Sequence, residues 1–298
     1  MMDIVVLDEP AVQQRLRYQD LIPAIADALA ALSAGRVVQP VRAVLPVAPH
    51  HGFFAVMPAY AGALGAKLVT FYPQNMGIHT HHAVIVLFKA ETGEPLAMMD
   101  GRLITEMRTA AASAVATQRL ARADASVLAI LGSGVQARSH LAALRLVRSF
   151  TDVRVWSPRN APAFAQRHGV KAVATAADAV RGADVVVVAT SATTPLLQGR
   201  WLSQGAHVNA VGATRPDWRE LDDDLVTTAR VFVDSREAAL RESGDVIAAR
   251  SEVTEIGAVV AGVHSGRRTP EEVTLFKSVG VAVEDVVAAA LVLQRRTE

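Results

Sequence analysis

The stretch AILGSGVQARSHL, residues 129–141, decides the fold of the larger part of this chain. An apolar run, SVLAIL, ends in Gly132 and Gly134, and a helical pattern takes over from Val135. With Ala137 this makes G-x-G-x-x-A, and its placement between a strand and a helix gives the pattern its weight. The glycines permit a tight turn and let backbone N–H groups approach a pyrophosphate, while the helix N-terminus adds positive dipole. The plainer alternative is an ordinary glycine-rich strand–helix turn. Outward from this point the reading repeats. VQARSHLAALRLV is helical, VRVWS is a strand, APAFAQRHG is helical and ADVVVVAT is a strand; HVNAVGA and RVFVDS are further strands. Strands alternating with helices predict a parallel, doubly wound sheet of the Rossmann type, an α/β domain.

The end of the next strand bears on which dinucleotide would bind. An acid there would hydrogen-bond the ribose 2′-OH of NAD. The sequence reads VRVWSPRN, with Ser157 and Arg159 and no acid. A hydroxyl and a guanidinium suit a 2′-phosphate, so NADP(H) is favoured, with NAD(H) possible. The alternative for Arg159 is a solvated loop side chain.

The first hundred residues read differently. Asp8, Glu9 and Pro10 form a helix start, and helical spacing runs to Ala34 with Gly35 as the stop. VVQPVRAVLPV, GFFAVMP, KLVTFYP and HHAVIVLFKA are strand-like, and ETGEPL is a turn. A helical pair followed by a mostly antiparallel sheet is predicted, then a tight Ala-rich helix in TAAASAVATQRLA. At 298 residues, 51% hydrophobic and 20% charged, the chain can fill two domains. A formal net charge of +1 gives no broad field toward nucleic acid or membrane. No Cys is present, which removes disulfides and thiolate metal sites. The N-terminus carries Asp3 and no basic segment, unlike a signal peptide, and no apolar run reaches the ~18 residues that span a bilayer. A cytoplasmic enzyme with no metal is the expectation.

Three cations stand in apolar company. Lys67, one of four lysines, lies in LGAKLVTFYP; Arg42 lies in VVQPVRAVLPV; Arg108 reads as the opening of the Ala-rich helix in EMRTAAASA. A lysine in such a strand snorkels to the surface or holds an anion. An arginine in a first helical turn opposes the dipole at a cost of ~0.3–1 kcal/mol, which a bound anion removes. A substrate carboxylate would satisfy all three; local acids such as Asp100 or Glu106 are the alternative. Five histidines cluster at His50, His51, His79, His81 and His82. His79 and His81 would share a strand face, but without Cys or a matching carboxylate they read as a wet rim. AVEDVVAAALVLQRR has helical spacing suited to core or a subunit interface.

In order along the chain, VMPAY, KLVTFY, MDGRLIT, RTAAASA, LGSGVQARSH, VNAVGATRPDWRELDDDL, VDSREAALRESGDV and FKSVGVAVEDVVAA resemble the ornithine cyclodeaminase/mu-crystallin family, most closely its ketimine reductase branch. The resemblance covers nearly the whole chain. It implies a substrate and dimerisation domain, residues 1–118 with 278–298, an inserted NAD(P)-binding Rossmann domain at 119–277, and an active site in the cleft between them. It implies that Arg42, Lys67 and Arg108 bind a carboxylate and that His81 lines the substrate pocket. Gly132, Gly134, Val135 and Gln136 match the pyrophosphate loop, and Thr109, Thr190 and Thr214 join Ser157 and Arg159 in the cofactor set. Pro158 departs from the family pattern, whose basic residue commonly comes one position before Arg159. Thr214 is the informative departure, since cyclodeaminases carry an aspartate there. Without that carboxylate a cycle that releases ammonia loses its general base. Asp217 and Glu220, nearby in the sequence, read as pointing elsewhere or capping the following helix. Asp245 and Lys277 read as structure at the domain junction, with Lys277 opening the last helical stretch.

The implied activity is NADPH-dependent reduction of cyclic α-imino acids: Δ1-pyrroline-2-carboxylate to L-proline, Δ1-piperideine-2-carboxylate to L-pipecolate, or both. Lys67 and Thr214 are the candidate catalytic residues, and a homodimer is expected. The rival readings are an alanine- or opine-type reductive amination, an ornithine cyclodeaminase, and a protein that binds iodothyronine-like carboxylates with NADPH as a structural ligand.

Overall fold

A computed structural model describes residues 4–295. Strand β1 (Val5–Leu7) leads into helices α1 (Glu9–Arg15) and α2 (Tyr18–Ser33). Asp8 caps α1 by accepting from the Ala11 N–H at 3.0 Å, and Gly35 follows α2 in the left-handed region at φ 70°. The helical pair and its stop match the sequence reading; Asp3 lies outside the described residues.

Strands β2 (Ala43–Val47), β3 (Gly52–Ala61), β4 (Ala63–Phe71), β5 (His81–Phe88) and β6 (Pro95–Asp100) follow. They form one sheet in the order β1-β6-β5-β4-β3-β2, antiparallel from β2 to β6, with β1 parallel to β6. Burial alternates along β5, where Ala83, Ile85 and Leu87 face inward. Arg42 stands just before β2, not within a strand as expected.

Helix α3 (Arg102–Leu120) begins earlier than predicted. The Asp100 carboxylate accepts from the backbone N–H groups of Arg102 at 3.0 Å and Leu103 at 3.2 Å, which fixes the start there. Arg108 therefore lies more than a turn inside the helix. The expectation that it opens the helix against the dipole is overturned, because the dipole acts within the first turn.

The remaining elements alternate. They are β7 (Val127–Leu131), α4 (Val135–Leu144), β8 (Asp152–Trp156), α5 (Ala161–His168), β9 (Lys171–Ala172), α6 (Ala176–Val180), β10 (Val185–Val188), β11 (His207–Ala210), α7 (Asp223–Thr228), β12 (Arg230–Val233), α8 (Arg236–Glu242), α9 (Gly244–Ala249), β13 (Val253–Glu255), α10 (Ile256–Val260), β14 (Thr274–Lys277) and α11 (Ala282–Gln294). The eight strands form an all-parallel sheet in the order β13-β12-β14-β11-β10-β7-β8-β9. All four valines of β10 are fully buried, as a strand covered on both faces requires. The α/β fold with a doubly wound parallel sheet is the one read from the sequence. Lys277 ends β14 and does not open a helix, which corrects its expected place.

The chain divides into two compact units, Met1–Arg108 with Val281–Glu298, and Thr109–Gly280. This divide at 108/109 and the expected one at 118/119 both fall inside the continuous helix α3. In the first unit, α11 packs on α2 and across β3, β4 and β5. Gly65 in β4 lies close against β5: a Cβ there would meet the Val86 carbonyl oxygen at 2.6 Å. Among the described residues no helix is long and apolar enough to cross a membrane.

Candidate active site

Lys67 lies on the inner face of β4, cross-strand from Met57 and Ile85, and is 1% exposed. It does not snorkel. Its ammonium meets the Asp285 carboxylate at 2.7 Å and donates to Thr105 Oγ1 at 3.5 Å. Arg108, also buried, donates to Asp285 Oδ1 at 3.0 Å and to Glu284 Oε2 at 2.7 Å. Arg42 is half-buried, and its charge and that of Arg108 both act on Lys67. The structure thus gathers the three predicted cations.

It also supplies what the sequence reading lacked. The carboxylates paired with Lys67 and Arg108 come from the first turn of α11. Of the two acids proposed from the sequence, Asp100 caps α3 and Glu106 pairs with Arg102. Glu284 and Asp285 are fully buried, favoured by the helix dipole, and the helix start is further held by Gln39 Oε1, which accepts from the Val283 N–H at 2.9 Å. Two adjacent acids in an otherwise apolar helical stretch were the signal that could have found them, read together with three cations in apolar company. Lys67, Arg108 and Arg42 bring three cationic groups together, a set whose chemistry suits a carboxylate.

Burial pushes the Lys67 pKa down from 10.5 to about 8; Asp285 opposes that shift, and Arg108 and Arg42 reinforce it. Burial alone would raise the Asp285 carboxyl, but Arg108 and Lys67 hold it below its ordinary value. The result is an ionised acid against a lysine that releases its proton near neutrality.

His81, at the start of β5, stacks on Phe71 with ring centroids 4.3 Å apart. Surrounding protein atoms, with like charge from Lys67 and His82, push its pKa down to about 4. Part of the residue stays exposed, so solvent trims the extent of that shift and not its direction. His79 lies in the loop before β5, not on a shared strand face, and its carbonyl accepts from His82 Nε2 at 3.0 Å. Among the described residues no group of three or more His, Cys, Asp or Glu could hold a metal ion.

In the second unit, Gly132 follows β7 at φ 118°, and a Cβ there would strike the carbonyl oxygen of Ala189, the residue after β10. Gly134 caps α4 with open space where its Cβ would be. The first glycine is required by the fold, and the second leaves room above the helix N-terminus. This cradle fits a pyrophosphate. Val135 is exposed and Gln136 half-buried in the first turn of α4. Ser157, past the end of β8, accepts from Ser133 Oγ at 2.9 Å and from the Asn160 N–H at 3.2 Å, which ties the glycine loop to the next turn. Arg159 is exposed in that turn, where no acid stands. Thr109 is buried in α3 at the start of this unit.

Thr190 follows β10, and Thr214 follows β11 in a half-buried loop. Its neighbour Ala213 is held at φ 49°, a conformation unusual for a residue with a side chain. Asp217 pairs with Arg215 at 3.3 Å, and Asp222 caps α7. Glu220 caps no helix: it is fully buried and accepts from Thr190. Asp245 accepts from the N–H groups of Glu220 and Leu221, and Lys277 donates to the Gly212 carbonyl.

A model of the Ornithine cyclodeaminase/mu-crystallin family matches residues 2–298. A ketimine reductase mu-crystallin of Macropus fuliginosus is 49% identical over 286 residues, covering 91% of this chain and 90% of that protein. The structure of a Δ1-pyrroline-2-carboxylate reductase of Thermococcus litoralis, in complex with NADH and L-proline, superposes with a TM-score of 0.93 at 37% identity, covering 98% of this chain and 97% of the other. An archaeal alanine dehydrogenase dimer with bound NAD superposes with a TM-score of 0.92 at 32% identity, covering 98% and 95%.

Proposed function

The chain belongs to the ornithine cyclodeaminase/mu-crystallin family, and on that premise we propose that it reduces the C=N bond of cyclic α-imino acids with a nicotinamide cofactor. The observation that carries this reading is the buried cluster of Lys67, Arg108, Glu284 and Asp285, with Arg42 beside it. Its cationic side chains suit a substrate carboxylate, which charge-assisted hydrogen bonds hold. The substrates are Δ1-pyrroline-2-carboxylate, yielding L-proline, and Δ1-piperideine-2-carboxylate, yielding L-pipecolate. The names of the mammalian relative and of the archaeal reductase support that choice.

Arg42, Arg108 and Lys67 hold the carboxylate and so fix the position of the imine carbon. A reduced nicotinamide, when bound, supplies hydride to that carbon. Hydride transfer requires the imine carbon and the nicotinamide C4 to come within ~3–3.5 Å. Protonation of the imine nitrogen makes the carbon a better electrophile, and Lys67, with a pKa near 8, is charged at neutral pH and acidic enough to donate. Thr214, or a water it holds, positions that proton. A threonine in place of the cyclodeaminase aspartate removes the base needed to release ammonia from an amine, so imine reduction is favoured over ornithine cyclisation. Gly132, Gly134, Val135, Gln136, Thr109 and Thr190 hold the dinucleotide; Ser157 and Arg159 favour NADPH over NADH. His81 lines the imino-acid pocket.

The test is a spectrophotometric scan of NADPH and NADH oxidation with the two cyclic imines, with pyruvate plus ammonia, and of ammonia release from ornithine. Rapid turnover of a cyclic imine alone is the expected outcome. Turnover of pyruvate with ammonia in its place would favour reductive amination, the reading that the alanine dehydrogenase likeness keeps in view.

The outer face of the first unit's sheet supports a homodimer. Strand register puts Val6, Met98, Val84, Leu45 and Tyr60 on one face, each 39% exposed or more. An apolar face of this kind on a soluble enzyme seats a partner, here a second copy. Light scattering should report a dimer, and Met98→Asp with Val84→Asp should give monomers; a monomeric parent protein overturns this assignment.

A further inference from the structure

Glu220 is fully buried in the second unit, and the chemistry above does not use it. Its Oε1 accepts twice from one residue, from the Thr190 N–H at 3.0 Å and the Thr190 hydroxyl at 2.5 Å. The Ala192 N–H donates to that same hydroxyl at 3.1 Å. Thr190 follows β10, the strand paired with β7, and Gly132, which follows β7, lies against the Ala189 carbonyl. On its other side the Glu220 carboxyl lies on Gly212, where a Cβ would collide with it. One carboxyl therefore stands between the turn after β10 and the loop that runs from Gly212 to Thr214.

The residue is itself braced. Its N–H donates to Asp245 Oδ1 at 2.9 Å, and its carbonyl accepts from the N–H groups of Leu196 at 2.8 Å and Leu197 at 2.9 Å. Its Oε2 has no hydrogen-bond partner among the described residues. In an open parallel sheet a dinucleotide crosses the carboxyl ends of the strands at the switch point, here between β7 and β10. With the pyrophosphate on the glycine loop and the adenosine half toward β8, the nicotinamide half falls toward the ends of β10 and β11. We infer that Glu220 is a positioning residue for the cofactor, holding the Thr190 turn and the Gly212–Thr214 loop where the nicotinamide half binds. The inference rests on the reading that this chain takes a nicotinamide dinucleotide.

Three neighbours set the charge of Glu220. Burial raises its pKa to about 7; Lys277 and the two Thr190 hydrogen bonds work against that rise, and Asp245 adds to it. A carboxylate is a stronger acceptor than a neutral acid. The hold on Thr190 is therefore firm above pH 7 and weakens as the pH falls through it.

The experiment is fluorescence titration of NADPH and of NADH without any imino acid, at pH 6, 7 and 8. Glu220→Ala should weaken cofactor binding about tenfold at pH 8, from the lost charged acceptor. Glu220→Gln keeps an acceptor oxygen and should recover most of that loss. The weakening that the parent protein shows between pH 8 and 6 should be absent from Glu220→Gln. Thr190→Val should add little on top of Glu220→Ala, because both act through one contact. Unaltered cofactor affinity in a folded Glu220→Ala protein overturns the inference, as do losses that multiply in the double variant. Should Glu220→Ala fail to fold, Glu220→Gln decides alone: a parental pH slope that survives in it is fatal. A parent protein that binds cofactor but reduces no imine removes the proposed substrate and leaves this inference standing. One that binds neither dinucleotide removes both.

Discussion

The cluster around Lys67 and the loop from Gly132 to Gln136 differ in how they are made. The cluster takes side chains from β4, α3 and α11, and its Arg108–Asp285 bond joins residues 177 apart in the chain. The loop is one continuous stretch, and its working parts are backbone groups. The cluster depends on burial, which strengthens its ion pairs and moves the lysine's proton release to near neutrality. The loop depends on sterics: Gly132 adopts a φ that few other residues can hold and leaves no room for a Cβ. A site built from charges should respond to pH and to removal of a partner; a site built from backbone should respond to added bulk and little to pH.

Lys67→Met should show the largest separation. In the proposed mechanism it removes a carboxylate contact and a proton donor together, so kcat/KM for Δ1-pyrroline-2-carboxylate should fall roughly 10²–10⁴-fold. Cofactor affinity, measured by titration, should stay within about twofold, since the loop lies in the other unit. Equal losses in both measurements would break the division of labour. Gly132→Ala tests the opposite arm. Backbone strain of ~1–3 kcal/mol predicts cofactor binding about 10–100-fold weaker. Binding of L-proline to the anion cluster, followed by calorimetry, should be unaltered.

Asp285→Asn sharpens the electrostatic half of the comparison. The aspartate favours the charged lysine, so its loss lowers the Lys67 pKa further below about 8. The proposed mechanism uses protonated Lys67, so the alkaline limb of the kcat/KM profile should move to lower pH. A limb left in place would mean that another group sets it. Arg159→Ala carries the smallest effect because its side chain is exposed. NADPH should bind about tenfold more weakly or less, with NADH unaffected. An equal change for both cofactors would deny Arg159 a role at the 2′-phosphate.

The parallel sheet and the glycine loop were legible because both are local. Apolar runs such as VVVV at residues 185–188 mark doubly covered strands, and the glycine spacing of 132 and 134 lies within one turn. The antiparallel sheet and the helical pair were legible for the same reason. The start of α3 was not, since the cap comes from Asp100 two residues upstream, outside the Ala-rich stretch that announced the helix. Nor was the role of Glu220, whose partner Thr190 lies 30 residues away and meets it only when the loops after β10 and β11 are in place.

Composition and local pattern by themselves determined the two kinds of sheet, the glycine loop between β7 and α4, and the presence of three cations among apolar residues. Only the tertiary structure decided what those cations face. Glu284 and Asp285 look like ordinary first-turn acids until α11 packs across β3, β4 and β5 and carries them against Lys67 and Arg108. Helix and strand preferences act over a few residues, whereas the energy of a charge depends on every neighbour that replaces its water, and those neighbours are assembled only by folding.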